Sequence, residues 1–336
     1  MTRVLVTGSA GFIGFHLARL LLDEGFEVHG YDGMTSYYDV GLKRRRHGIL
    51  LQHPGFTATE ALLEDRETFA RVAREARPEI IVHLAAQAGV RHSLEAPLDY
   101  LQSNVIGTLS VLEAAREQGV RHLLMASTSS IYGANPEMPF TEAQKADSQL
   151  TIYAASKKAN ESMAHAWAHL YDVPVTMFRF FTVYGPWGRP DLALYRFVDA
   201  ILEDRPIDIY NHGEMQRDFT YVDDLVRAVR LLMDVVPERP ADGTVPEGDS
   251  LSPVAPWRVV NIGNSEPVPL LAFIEAIEEA VGRKARRNPM GMQPGDMPAT
   301  WADASLLQRL TGYRPQTDLC DGIRQFVAWY RDYSGK

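Results

Sequence analysis

The chain has 336 residues, 46% of them hydrophobic and 23% charged, with a formal net charge of −9. Its length exceeds one minimal domain, its composition is that of a folded globular protein with a sizeable core, and its acidic balance disfavours nucleic acid or an anionic membrane as the main partner. A single cysteine, Cys320, excludes an internal disulfide and a thiolate-rich metal site; no pair of the ten histidines stands at ligand spacing with a carboxylate, so no metal is expected.

The chain enters a strand at once, with no charged leader ahead of it, and no apolar run approaches the ~20 residues that span a bilayer. A cytoplasmic location without a membrane partner is expected. The strand at residues 4–6 runs into Gly8-Ser9-Ala10-Gly11-Phe12-Ile13-Gly14, and an amphipathic helix opens around Phe12. Gly8 permits the tight turn, Gly11 lets backbone approach a pyrophosphate, and Gly14 lets the helix pack on the sheet, while the helix N-terminus supplies amide donors. A second strand at 27–31 ends at Asp32, eighteen residues after Gly14. A carboxylate there binds both hydroxyls of an adenosine ribose and repels a 2′-phosphate, which favours NAD over NADP.

The run Lys43-Arg44-Arg45-Arg46 reads first as a solvated helix face, and second as a nucleotide-phosphate contact. Further apolar strands fall at 80–82, 123–125 and 175–180, with a helix at 105–115 between the first two. This alternation predicts an α/β fold with a doubly wound parallel sheet. After Phe181 the pattern loosens into turns at Gly185-Pro186, Gly188 and Arg189-Pro190, a short strand near 207–210 and helices near 270–280 and 321–331. Residues 1–178 are therefore expected to form the nucleotide domain and 179–336 mainly a smaller α/β substrate domain, with segments crossing back; 237–256 reads as a surface loop.

Tyr153 and Lys157 stand four residues apart, hence on one face of the helix that starts there. A phenol of pKa about 10 is a poor base at neutral pH, and a nearby cation brings its phenolate into range. Taken alone such a pair is an ordinary helix surface. Here it accompanies a dinucleotide loop, and Ser127-Thr128-Ser129-Ser130 follows the strand at 123–125, at the carboxyl edge where ligands of doubly wound sheets collect.

The glycine triplet, the Tyr153/Lys157 pair and the hydroxyl cluster before Ile131-Tyr132-Gly133 resemble the extended short-chain dehydrogenase/reductase family of nucleotide-sugar enzymes over nearly the whole chain. The resemblance implies that Thr128 shares the substrate 4-hydroxyl proton with Tyr153, and that Lys157 holds the nicotinamide ribose and lowers the tyrosine pKa. It places Leu84, Ala85, Ala86, Gln87 and Asn104 along the cofactor, and Arg217 on a nucleotide diphosphate, so the partner is a UDP-sugar. Where the subfamily commonly has Asp-Asn-Leu this chain has Asp32-Gly33-Met34, and it has Leu62-Leu63 where an aspartate commonly precedes the leucine; Leu63 and Lys43 are kept as cofactor positions.

Three stretches narrow the resemblance to the UDP-glucuronate 4-epimerases of that family: 85–93, 178–191 and 292–296, the last ending Gln293-Pro294-Gly295-Asp296. Galactose epimerases usually carry asparagine where this chain has Thr182. A uronate carboxylate needs an anion site, for which Arg189 with Ser129 and Ser130 is the candidate. Arg91 reads equally as a second contact or as an ion-pair partner. Relatives that decarboxylate usually place glutamate after the Thr-Ser pair, and 4,6-dehydratases Asp-Glu; Ser129 and Ser130 stand there instead. A UDP-hexose 4-epimerase, a UDP-glucuronate decarboxylase and a non-catalytic NAD-binding scaffold stay open as alternatives. By the same resemblance, helices at 98–118 and 153–171 form a homodimer interface, where Ile106, Leu109, Met163 and Trp167 fit either that role or core packing.

Overall fold

The computed structural model describes residues 1–293 and 296–336. Seven parallel strands form the central sheet. Chain order gives β1 (Arg3–Thr7), α1 (Phe12–Asp23), β2 (Glu27–Asp32), α2 (Val40–Leu50), β3 (Phe56–Glu60), α3 (Arg66–Ala76) and β4 (Ile80–His83). Two short helices, α4 (His92–Glu95) and α5 (Pro97–Tyr100), lead through a π-helical stretch at Leu101–Ile106 into α6 (Gly107–Gln118). Then come β5 (His122–Thr128), a 3₁₀ turn at Ser129–Tyr132, α7 (Ile152–Tyr171) and β6 (Val175–Phe180).

The second half adds β7 (Thr182–Tyr184), α8 (Ala193–Leu202), β8 (Pro206–Ile209), β9 (Gln216–Tyr221), α9 (Val222–Leu232) and β10 (Trp257–Ile262). It finishes with β11 (Pro267–Pro269), α10 (Leu270–Val281), β12 (Arg286–Pro289), β13 (Ala299–Thr300), α11 (Ser305–Thr311) and α12 (Leu319–Ser334). The main sheet has the order β10-β6-β5-β4-β1-β2-β3, so β10 returns from the second half to pair with β6. Strands β7, β11 and β13 gather on β9, and β8 pairs β12.

Both faces of the main sheet are covered, which is why its strands read as continuous apolar runs. Val4 and Val6 point into a core shared with α1 and α9, whereas Leu5 points to the opposite core, shared with α3, α6 and α7. A third core, with Phe219, Phe273, Ile277 and Phe326, holds the second half together. The sequence missed β10 because Arg258 and Asn261 interrupt its apolar pattern; both are buried, Arg258 paired with Asp249 at 2.8 Å and Asn261 accepting from the Tyr132 hydroxyl at 2.8 Å. The helix expected at 105–115 begins only after the π-helical stretch.

The basic run departs most from its first reading. Arg44 and Arg45 face solvent, but Lys43 and Arg46 turn inward with Leu42 and Leu50, since residues three and four apart share a helix face. The Lys43 ammonium donates to the Thr35 carbonyl at 2.7 Å.

A buried ion pair ties the catalytic-side helix to the sheet. Arg179 of β6 donates to both carboxylate oxygens of Glu161 on α7, at 3.0 and 2.9 Å, and Glu161 also accepts from Ser127 at 2.7 Å. Removing one partner strands the other charge in the interior. Glu161→Gln is expected to lower unfolding stability by about 3–5 kcal/mol, the cost of breaking a buried pair, measured by urea denaturation. Arg44→Ala, which removes a solvent-exposed pair with Glu60, is expected to leave the midpoint essentially unmoved.

Candidate active site

All strands of the main sheet run parallel, so their carboxyl ends, at Thr7, Asp32, His83, Thr128 and Phe180, open on one edge. The chain order reverses between β1 and β4 there, the position where doubly wound sheets bind ligands. A cleft of about 1070 Å³ follows this edge and continues under the second half; the figure exceeds the ~300–1,000 Å³ of a site for one small molecule.

The glycine loop forms the floor at one end. Gly8 takes φ +75° and donates its N–H to the Tyr31 carbonyl at 2.7 Å. A Cβ on Gly14 would lie 2.0 Å from the Gly8 carbonyl oxygen, and one on Gly11 2.9 Å from it. Helix α1 has Gly11 as its N-cap and no side-chain cap, so the amides of Phe12, Ile13 and Gly14 are left for a ligand. Asp32 fixes the loop's flank by accepting from the amides of Ala10 at 3.0 Å and Met34 at 2.9 Å. Gly8, Gly11, Phe12, Ile13, Gly14, Asp32, Lys43, Leu63, Leu84, Ala85, Ala86 and Gln87 all line the cleft.

Asn104 is the exception. It is buried behind the wall, where its side chain accepts from the Gln87 amide at 2.7 Å and donates to the Gln87 carbonyl at 3.0 Å and to Ser156 at 3.0 Å. The expected cofactor contact is therefore a clamp on the Gln87 peptide, while the Gln87 side-chain nitrogen is buried without a protein partner and the residue lines the cleft. His83 bridges Thr7 at 2.8 Å and Thr108 at 3.0 Å, and burial pushes its pKa down to about 3, so it is a neutral strut.

Tyr153 and Lys157 face the cleft from the first turns of α7, opposite the hydroxyls that end β5. Thr128 caps the following turn, accepting from the Ser130 amide at 3.2 Å and donating to its hydroxyl at 3.2 Å. Ser127, its neighbour, spends its hydroxyl on Glu161 instead. Burial raises Tyr153 above its ordinary range, opposed by the Thr128 hydroxyl and the Arg189 guanidinium. The expected lowering by Lys157 is thus not the acting cause: the Lys157 ammonium donates to the Ala126 carbonyl at 3.0 Å, and its own pKa falls to about 8 through burial.

The far end is basic. Arg189 lies in the cleft, but its fork is already engaged with Asp191, at 3.0 and 2.6 Å, and Tyr37 donates to the same carboxylate at 3.3 Å. Sequence reasoning missed Asp191 and Tyr37, and with them the loss of a free arginine fork; only the i+2 position of Asp191 could have signalled it. Asp296 bridges Arg91 and Arg217 at 3.4 Å each, which makes Arg91 an ion-pair partner. Thr182, Ser129, Ser130, Arg91, Arg217 and Asp296 all line the cleft. Pro294 and Gly295 of the 292–296 motif lie outside the described residues.

Residues 4–245 match the NAD dependent epimerase/dehydratase family. The chain is 56% identical to the "Probable UDP-glucuronate 4-epimerase" of Rhizobium meliloti (strain 1021), over 98% of this chain and 96% of that one. It is 41% identical to UDP-glucuronate 4-epimerase 4 of Arabidopsis thaliana, over 98% of this chain and 75% of that protein. Among solved structures, the UDP-glucuronic acid 4-epimerase of Bacillus cereus in complex with UDP-glucuronic acid and NAD superposes with a TM-score of 0.87 at 29% identity, covering 98% of this chain and 99% of the other. The chain belongs to the NAD dependent epimerase/dehydratase family.

Proposed function

We propose that the protein is a UDP-glucuronate 4-epimerase that interconverts UDP-glucuronate and UDP-galacturonate and keeps one NAD through the cycle. One observation carries the reading. A single cleft joins a dinucleotide loop, the Tyr153/Lys157 pair, an acid-free hydroxyl cluster at 128–130 and a basic far end, in a chain 56% identical to a probable enzyme of that activity. The uncapped amides at 12–14, the clearance at Gly14 and the unpartnered Gln87 amide suit a dinucleotide.

When bound, NAD takes a hydride from C4 of the sugar and gives it back. Tyr153 carries the 4-hydroxyl proton, with Thr128 beside it as a second hydroxyl in the relay. Lys157, still cationic at neutral pH, offers donors to a ribose. Ser129, Ser130 and Thr182 supply hydroxyl donors to the uronate carboxylate. Arg189, neutralised by Asp191, lends this set a covering cation rather than a free fork. Arg217, steadied with Arg91 by Asp296, holds the diphosphate end. The β-keto acid formed by oxidation at C4 tends to lose carbon dioxide, and hydroxyls rather than carboxylates at 129 and 130 give that loss no acid catalyst. We also propose a cytoplasmic homodimer that joins the helices at 97–118 and 152–171, where Leu98, Leu101, Ile106 and Leu170 are exposed. Among the described residues no helix is long and apolar enough to cross a membrane.

Purified protein given UDP-glucuronate without added cofactor should yield UDP-galacturonate by nuclear magnetic resonance, and Tyr153→Phe should remove the activity. UDP-xylose or a pentosyl 4-ketone as product, or full activity in Tyr153→Phe, overturns the reading. Ser130→Ala removes a donor to a charged group, a loss of about 1.5–3 kcal/mol. It should reduce kcat/KM for UDP-glucuronate about tenfold to a hundredfold and spare turnover of UDP-glucose. Lys157 is charged below its pKa of about 8 and neutral above it, so kcat should fall as pH rises through that value. Lys157→Arg should move this limb upward in the pH profile.

A further inference from the structure

Arg46 is the largest fully buried side chain of the nucleotide half, and its environment is unusual for a charge. A buried guanidinium costs several kcal/mol unless it is paired and fully hydrogen bonded. Among the described residues no carboxylate lies within ion-pair distance of it, and its Nε has no partner. Its other donors go to oxygens on three separate segments. One terminal nitrogen donates to the Ala10 carbonyl at 3.0 Å and the Tyr38 hydroxyl at 2.9 Å; the other donates to the Trp187 carbonyl and, at 3.5 Å, to that of Gly188.

Those carbonyls belong to opposite ends of the chemistry. Ala10 sits inside the phosphate loop between Gly8 and Gly11, and its own amide is held by Asp32 at 3.0 Å. Trp187 sits in the turn that delivers Arg189, and it takes a left-handed φ of +61°, a conformation costly for a bulky side chain and kept only where surroundings impose it. The Arg46 fork holds the carbonyl of that residue. Arg189 follows two residues later and faces the cleft with Asp191 and Tyr37.

We propose that Arg46 is a positioning residue that couples the dinucleotide loop to the Arg189 turn, so that a bound nucleotide sugar tightens the hold on NAD. The inference rests on the reading above that Arg189 faces the sugar. Its physical basis is a single planar fork shared by two loops, together with a buried positive charge whose field falls on the loop that receives phosphate. By linkage, whatever the sugar gains from the ordered turn, the dinucleotide gains equally.

The test uses holoenzyme carrying Tyr153→Phe, so that no turnover intervenes, and follows NAD release with and without UDP-glucuronate. The sugar nucleotide should slow release at least fivefold, the low end of the ~5–150-fold range of allosteric couplings. Adding Arg46→Lys, which keeps the charge but loses the fork, should cut the slowing below twofold while the thermal midpoint stays near the parent's. Tyr38→Phe, which leaves both carbonyl bonds, should retain it. Equal slowing in Arg46→Lys, or none in the parent, overturns the proposal. A second measurement does not depend on the variant folding. Amide hydrogen exchange at 187–191 in wild-type holoenzyme should slow when UDP-glucuronate is added, and exchange at 8–14 should slow with it; protection confined to one segment also overturns the proposal. Failure of the epimerase reading is seen separately, as the absence of UDP-galacturonate from wild-type protein.

Discussion

The Gly8 carbonyl oxygen lies where a Cβ of residue 14 would have to be, 2.0 Å away, and the site's geometry follows from that closeness. Because nothing intervenes, α1 sets its first turn directly on the end of β1, and its unsatisfied amides point along the sheet edge. The same closeness brings Gly8 against Ala85, where a Cβ would meet the backbone at 2.8 Å, so the loops after β1 and β4 form one wall. Asp32, Asn104 and His83 then hold that wall by its backbone and its hydroxyls.

Against this wall, the far end of the cleft brings charge. Arg91, Arg189 and Arg217 all face a cleft in a protein of net charge −9, and two carboxylates, Asp191 and Asp296, already hold them in place. Such a pre-paired set is oriented before the ligand arrives, which reduces the ordering cost of binding. Burial pushes the phenol of Tyr153 and the ammonium of Lys157 both toward their neutral forms.

Those parts of the site whose partners are near in sequence were legible. The glycine loop, Asp32, the hydroxyls at 127–130 and the pair at 153 and 157 each declare themselves within one strand–turn–helix unit. What escaped were residues whose meaning depends on distant backbone. Arg46 reaches 36 residues back and 141 forward to its carbonyls, and in a run of four cations its inward face looks like any solvated helix. Asn104 was identified as belonging near the cofactor, yet its amide serves Gln87, 17 residues earlier, a fact no spacing reveals. Strand β10 hid because its polar residues are satisfied by partners far along the chain, Asn261 by Tyr132 across 129 positions.

The end of β5 has one further implication. Ser127 and Thr128 are adjacent, yet one hydroxyl enters the protein to meet Glu161 and the other faces the cleft, because neighbouring strand residues point to opposite sides. The strand is paired on both sides, with Met125 opposite His83 and Thr128 opposite Phe180. The chemistry therefore depends on parity. A change in the connection from α6 that slid β5 by one residue would leave the fold's outline intact and exchange the two roles, burying the threonine and presenting a serine to the sugar. A slide of two would restore the orientation with different residues. A residue inserted between Gln118 and His122 therefore bears directly on the site, whereas one inserted after Gly133 lies beyond the turn.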